Sequence, residues 1–128
     1  MAVRIVRLGT DRATGEGPRL GTVRRPPRGV AKQDYASKNF YDVWLPTLAP
    51  SASTVKLAQS AKTARDWERF KRKYRAEMAR PEARPTLDLL AALSHKTNFS
   101  VGCYCEDEAR CHRSVLRALL IERGAAVV

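Results

Sequence analysis

A chain of 128 residues with 44% hydrophobic side chains supports one domain with one core and is too short for two ordinary ones. Twenty-four lysines and arginines against thirteen acidic residues give a net charge of +11, which favours a polyanionic partner, nucleotide or nucleic acid. No window reaches the roughly 20 apolar residues that span a bilayer, and three cysteines in one cluster do not make a secreted disulfide framework, so the sequence points to a cytoplasmic protein with reduced thiols and no membrane partner.

The first apolar run, Ala2 to Leu8, carries Val3, Ile5, Val6 and Leu8 and reads as a strand with apolar residues on both faces. Gly9 to Pro18 is turn chemistry and predicts an exposed, mobile loop. Leu20 to Arg25 forms a second strand, stopped by Pro26-Pro27 because proline cannot donate to a ladder. The segment Arg24 to Gly29 then sets Arg24, Arg25 and Arg28 on a stiff proline turn suited to holding phosphate.

Tyr35 to Leu48 is aromatic and reads as a short helix or an irregular core segment ended by Pro46 and Pro50. Ser51 to Thr63 has only Val55 and Leu57 as strong apolar anchors, and its state stays open. From Ala64 to Ala79, Trp67, Phe70, Tyr74 and Met78 recur at helical spacing, with Arg65, Arg69 and Arg72 opposite as a candidate nucleic-acid face. Pro85 opens a further helix to about His95, whose Leu87, Leu90 and Leu93, with Leu89, make a second apolar stripe, and His95 itself is read as solvated. Asn98 to Cys105 reads as a buried strand, and about Asp107 to Arg123 as the last helix, capped by Gly124. Ala126 to Val128 adds a short strand. The whole, residues 1–128, is a single α/β domain with a small mixed or parallel sheet flanked by helices.

Chemistry concentrates where the late strand hands over to the last helix. Cys103 and Cys105 are two residues apart on a strand and project together, while Cys111 stands at a helix start, where the backbone N–H groups and the dipole favour a thiolate. Cys111, His112 and Cys103 are therefore the candidate catalytic residues. Arg113 and Ser114 at the helix start, with Arg28 and Arg24 from the proline turn, are the candidate anion site, provided Glu106-Asp107-Glu108 turn away from it. No C-x-x-C pair is present, and a Cys-His neighbour pair at a helix start does not readily aim both side chains at one ion, so no metal or other cofactor is expected. The competing plain account makes Cys103 a small core residue and Cys111, His112 and Arg113 packing and capping groups.

Taken in order, Arg24 with Pro27-Arg28-Gly29, Asp42-Val43-Trp44-Leu45, Leu48-Ala49-Pro50-Ser51, the Trp67, Phe70, Tyr74 and Glu77-Met78 helix, and Cys103 followed by Cys111-His112-Arg113-Ser114 form a set that spans most of the chain. On these residues the sequence resembles the YeaO-like proteins, domain of unknown function 488. It departs from their pattern where Pro26 replaces a tryptophan and Val23 an acidic residue. The resemblance implies an α/β fold and a Cys-His-Arg signature and brings no reaction with it. Function then follows from the residues alone. They suggest an enzyme or ligand-binding domain with a Cys/His/Arg anion pocket for a phosphate-bearing substrate, or else a non-catalytic nucleic-acid-binding module using the Arg65, Arg69, Arg72 face.

Overall fold

The one strand whose residues are all buried lies inside the sheet. In the computed structural model, which describes residues 1–128, strands β1 (Val3–Arg7), β2 (Arg19–Gly21), β3 (Val43–Trp44) and β4 (Phe99–Cys103) form one sheet in the order β1-β4-β2-β3. Every pairing is parallel, so all four strands end at the same edge. β4 is flanked on both sides, with Val3 to Arg7 opposite Phe99 to Cys103 and Arg19 to Gly21 opposite Ser100 to Gly102. All five of its residues are buried, as befits a strand paired on both sides, and its one polar side chain, Ser100, is hydrogen-bonded to Glu16. Gly102 is required there, because a Cβ would come within 2.7 Å of Leu8 Cδ2 and 2.8 Å of the Val6 carbonyl.

Four helices complete the chain: α1 (Ala52–Ser60), α2 (Ala64–Met78), α3 (Arg84–Leu93) and α4 (His112–Glu122). Helix α2 begins at a capping box in which Thr63 and Asp66 satisfy each other's backbone N–H groups, and its Phe70, Tyr74 and Met78 face the core as their spacing predicts. With Leu87 and Leu90 from α3, Val115, Leu116, Leu119 and Leu120 from α4, and Val3, Phe99 and Val101 from the sheet, they make the main core. Truncating a fully buried leucine such as Leu87 or Leu116 to alanine costs about 2–5 kcal/mol. No helix is long and apolar enough to cross a membrane.

Several boundaries differ from the sequence reading, each for a local reason. The Ser51 to Thr63 stretch is helical from Ala52 because its N-terminus is held from outside. The Glu77 carboxylate of α2 accepts from Ser51 N at 3.0 Å, Ser51 Oγ at 2.6 Å and Thr54 Oγ1 at 2.9 Å. The Gly9 to Pro18 segment is anchored rather than loose. Arg19, fully buried, pairs with Glu16 at 2.8 Å and donates to the carbonyls of Thr10 and Asn39, while Ser100 Oγ donates to Glu16 at 2.6 Å. The last helix starts at His112, five residues later than expected. Asp107 instead caps a separate 3₁₀ turn, Glu108–Arg110, by accepting from Ala109 N, and Cys111 is extended, with φ −130° and ψ 154°. Tyr35 to Leu48 is irregular apart from the two-residue β3 and a 3₁₀ turn at Pro46–Leu48, and Val127 makes only an isolated parallel bridge to Val3.

Candidate functional site

The parallel sheet brings the ends of β1, β2 and β4 to one edge, where the loops after β2 and β4 meet. Cys103 is the last residue of β4, and Cys105 lies two residues beyond it, so their sulfurs sit 3.8 Å apart. Cys111 closes the same loop. Because Cys111 is extended and only His112 begins α4, the two neighbouring side chains turn toward each other, with Cys111 Sγ 3.7 Å from His112 Nδ1. One ligand-competent atom from each of Cys103, Cys111 and His112 lies within 4.8 Å of the others. The geometric ground for expecting no metal, that a Cys-His pair at a helix start diverges, therefore does not hold here.

The other ring nitrogen of His112 defines its state. Nε2 lies 2.8 Å from the Thr22 carbonyl oxygen and 3.2 Å from Thr22 Oγ1, whose own hydrogen goes to the Gly102 carbonyl. A carbonyl only accepts, so Nε2 carries a hydrogen, and Nδ1 is the ring nitrogen that faces Cys111. Tyr74 packs edge-on behind the ring at 5.4 Å, fixed by its hydroxyl donating to the Leu48 carbonyl at 2.6 Å. Among the thiols, hydrogen bonding to Cys105 and Cys111, with burial, pushes Cys103 far up, so it keeps its proton. The Cys103 S–H pulls Cys105 well down, and the Arg113 guanidinium adds to that effect. Cys111 is lowered first by Cys103 and also by His112.

Arg113 is 3% exposed and donates from Nη2 to the Cys105 carbonyl at 2.6 Å. Its Nε and the Tyr41 hydroxyl are the two buried side-chain polar atoms without a hydrogen-bond partner. Tyr41 belongs to the small apolar cluster of Leu8, Val23, Cys103 and Cys111 beneath the site. Arg113 thus adjoins Cys105, and Tyr41 packs in the cluster that holds Cys103 and Cys111. A family model described as the active DUF488-N3 subclade matches residues 3–124, nearly the whole chain. The chain belongs to the DUF488-N3 subclade. No curated protein and no solved structure matches it.

In this DUF488-N3 chain the predicted site residues separate into three groups. Cys103, Cys111, His112 and Arg113 come together. Cys111 is only 2% exposed, however, and the sulfur open to solvent is Cys105, which the sequence reading named without placing it among the candidate catalytic residues. Its signal was the i, i+2 spacing with Cys103. Arg113 is buried, with Nη2 committed to the Cys105 carbonyl and Nε left without a partner, and Ser114 Oγ is spent on the Cys111 carbonyl at 3.0 Å. Arg24 is tied to the Pro50 carbonyl at 3.0 Å, and exposed Arg28 makes no ion pair or hydrogen bond. The proline turn does reach the cysteine loop, since Tyr104 Oη donates to the Arg25 carbonyl at 2.9 Å.

Each carboxylate of the acidic run has a partner of its own. Glu106 lies 3.6 Å from Arg7, Asp107 caps its own turn, and Glu108 takes both oxygens to Arg117. On α2, Arg65, Arg69 and Arg72 are all exposed, and none pairs with a carboxylate. Arg72 borders a groove of about 290 Å³ between α2 and α4, which Trp67, Lys71, Arg75 and Ser114 also line. Arg110 lies over the Trp67 ring at 5.8 Å.

Proposed function

We propose that the Cys103, Cys105, Cys111 and His112 cluster is the working centre of an enzyme that acts on a phosphate-bearing substrate, a nucleotide or a nucleic acid. The observation that carries this reading is a pair of orphaned donors around the cluster: Arg113, bonded through Nη2 to the Cys105 carbonyl, keeps Nε without a partner, and Tyr41, packed in one cluster with Cys103 and Cys111, keeps its hydroxyl without one. A buried polar atom without a partner calls for one. A plain packing role for the cysteines leaves both unexplained. The location at the carboxyl ends of parallel strands, where open α/β sheets bind their ligands, supports the same conclusion. The net charge of +11 and the unpaired arginines favour an anionic substrate. The description of the subclade as active agrees with chemistry rather than scaffolding.

In this reading Cys105 meets the substrate at the mouth of the site, while Cys103, Cys111 and His112 form its floor. Arg113 and Tyr41 supply donors, and Arg24 and Arg28 lie on the turn that borders the opening. The test is calorimetric titration of purified protein with mononucleotides and with short single- and double-stranded oligonucleotides, followed by mass analysis of the ligand after incubation. Binding by at least one class, with a changed ligand mass that disappears in Cys105→Ser, is expected. Absence of binding at low salt, or turnover indifferent to both Cys105→Ser and Cys111→Ser, overturns the reading.

A second reading rests on its own observation, the exposed and unpaired Arg65, Arg69 and Arg72 on one side of α2. There the chain is a nucleic-acid-binding module whose affinity resides in phosphate contacts. It differs from the first in needing none of the cysteines.

A further inference from the structure

We propose that Cys103, Cys111 and His112 bind one zinc ion, with the fourth coordination position open on the side of Cys105. This inference deepens the functional reading and rests on its taking the cluster as the working centre. Zinc bonds of about 2.3 Å to sulfur and about 2.0 Å to nitrogen set the corners of a tetrahedron roughly 3.5 to 3.8 Å apart. Cys111 Sγ and His112 Nδ1 already stand at 3.7 Å, and the three ligand atoms all lie within 4.8 Å, so closing on an ion takes side-chain rotations of about 1 Å at most.

The surroundings match what a bound imidazole needs. A metal-binding histidine donates its other ring N–H to a carbonyl or carboxylate, which fixes the tautomer and the ring plane. His112 does so to the Thr22 carbonyl before any ion is present. The donor set also selects the metal. Two sulfurs and an imidazole suit zinc, whereas calcium and magnesium need oxygen ligands, and the three nearby carboxylates of residues 106–108 are engaged elsewhere.

Charge points the same way. Binding releases the thiol protons of Cys103 and Cys111, and the two thiolates balance the ion to a neutral centre. The Arg113 guanidinium, bonded to the Cys105 carbonyl, then leaves a positive charge near the site, which suits a hydroxide or a phosphate oxygen of the substrate. Three protein ligands and one exchangeable position are the arrangement of catalytic rather than structural zinc. Cys105, exposed and 3.8 Å from Cys103, flanks that position as a neighbour of the bound substrate.

The experiment is elemental analysis of protein purified without added metal and without chelator, followed by replacement of the metal with cobalt(II). About one equivalent of zinc per chain is expected, released on acidification as the thiolates protonate. The cobalt form should show intense thiolate-to-metal charge-transfer absorption. Cys103→Ser and Cys111→Ser should bring the metal to background, and Cys105→Ser should retain it. Protein free of zinc that also takes up neither zinc nor cobalt when supplied overturns the proposal without any variant having to fold. Loss of zinc in Cys105→Ser as complete as in Cys111→Ser overturns the open position. Protein without metal that still binds and converts a nucleotide keeps the functional reading and loses the zinc; protein with zinc but without affinity for any phosphate-bearing ligand does the reverse.

Discussion

His112 Nε2 lies 2.8 Å from the carbonyl oxygen of Thr22, a contact that joins the first turn of α4 to the loop after β2 across ninety positions of sequence. It sets which nitrogen of the imidazole faces the cysteines, so a backbone group on one side of the site decides the chemistry available on the other. In nitrogen-correlated NMR spectra of metal-free protein, His112 should show the Nε2–H tautomer, and Cys111→Ala should leave that assignment unchanged. His112→Phe keeps the packing against Tyr74 but strands the Thr22 carbonyl, and should cost about 1–3 kcal/mol in urea unfolding. An Nδ1–H ring, or an unaltered unfolding midpoint, contradicts this account.

Cys105 should be the reactive thiol of metal-free protein. It is exposed, whereas Cys103 and Cys111 are buried, and the Cys103 S–H and Arg113 both favour its thiolate. Alkylation of chelator-treated protein by iodoacetamide, followed by peptide mass analysis, should label Cys105 first. Its rate should stay high well below the pH at which a free cysteine loses reactivity. In Cys103→Ala the pH profile should move up toward that of a free cysteine. Equal labelling of all three thiols, or a profile that ignores Cys103, shows that the sulfurs do not share a proton as their spacing indicates.

The Arg19–Glu16 pair should give the fold an acid limit. Burial pushes the Glu16 carboxyl up, but the hydrogen bonds from Arg19, Ser100 and Ala13 N outweigh it and hold the group at about 2, below its ordinary 4.5. A depressed folded value means that the contribution is present in full above 4.5 and is lost as the pH falls through 2, with a size of roughly 3 kcal/mol. Unfolding midpoints measured from pH 6 to pH 2 should fall in that window, and Glu16→Gln should flatten the fall. Arg19→Met, which leaves Glu16 buried and unpaired, should cost about 3–5 kcal/mol. An unchanged pH profile in Glu16→Gln places the acid sensitivity elsewhere.

The elements legible in the sequence are those whose own residues decide them. The aromatic stripe from Trp67 to Met78, the proline before Thr86 and the apolar run of β4 each carry their own period or punctuation, and each forms close to its expected limits. Helix α1 was not legible because its N-terminus depends on Glu77, 26 residues from Ser51. The burial of Arg19 was likewise hidden, since an arginine in a basic chain gives no sign of the carboxylate three residues before it. At the site, the convergence of Cys103 and Cys111 followed from the strand-to-helix handover. Which sulfur reaches solvent did not, because that depends on one extended residue, Cys111, between a 3₁₀ turn and α4.

If the α2 face binds nucleic acid, its arginines must act by position and not merely by adding charge. Arg65, Arg69 and Arg72 recur at helical spacing on one side of α2, are exposed, and lack carboxylate partners, so no internal ion pair has to break before they meet phosphate. Each phosphate neutralised on duplex DNA adds about 0.9 to the slope of log affinity against log salt. Replacing all three by alanine should therefore weaken binding of a labelled duplex at low salt and reduce that slope by about 1 to 3, measured by anisotropy at several salt concentrations. Lys32, Lys38 and Lys96 are also exposed and unpaired but lie on other elements, and replacing them removes the same charge. That control should leave the slope nearly intact. Far-UV circular dichroism checks that both variants keep their helices. Equal losses in the two variants would assign the affinity to net charge alone, and α2 would then have no claim to be the interface.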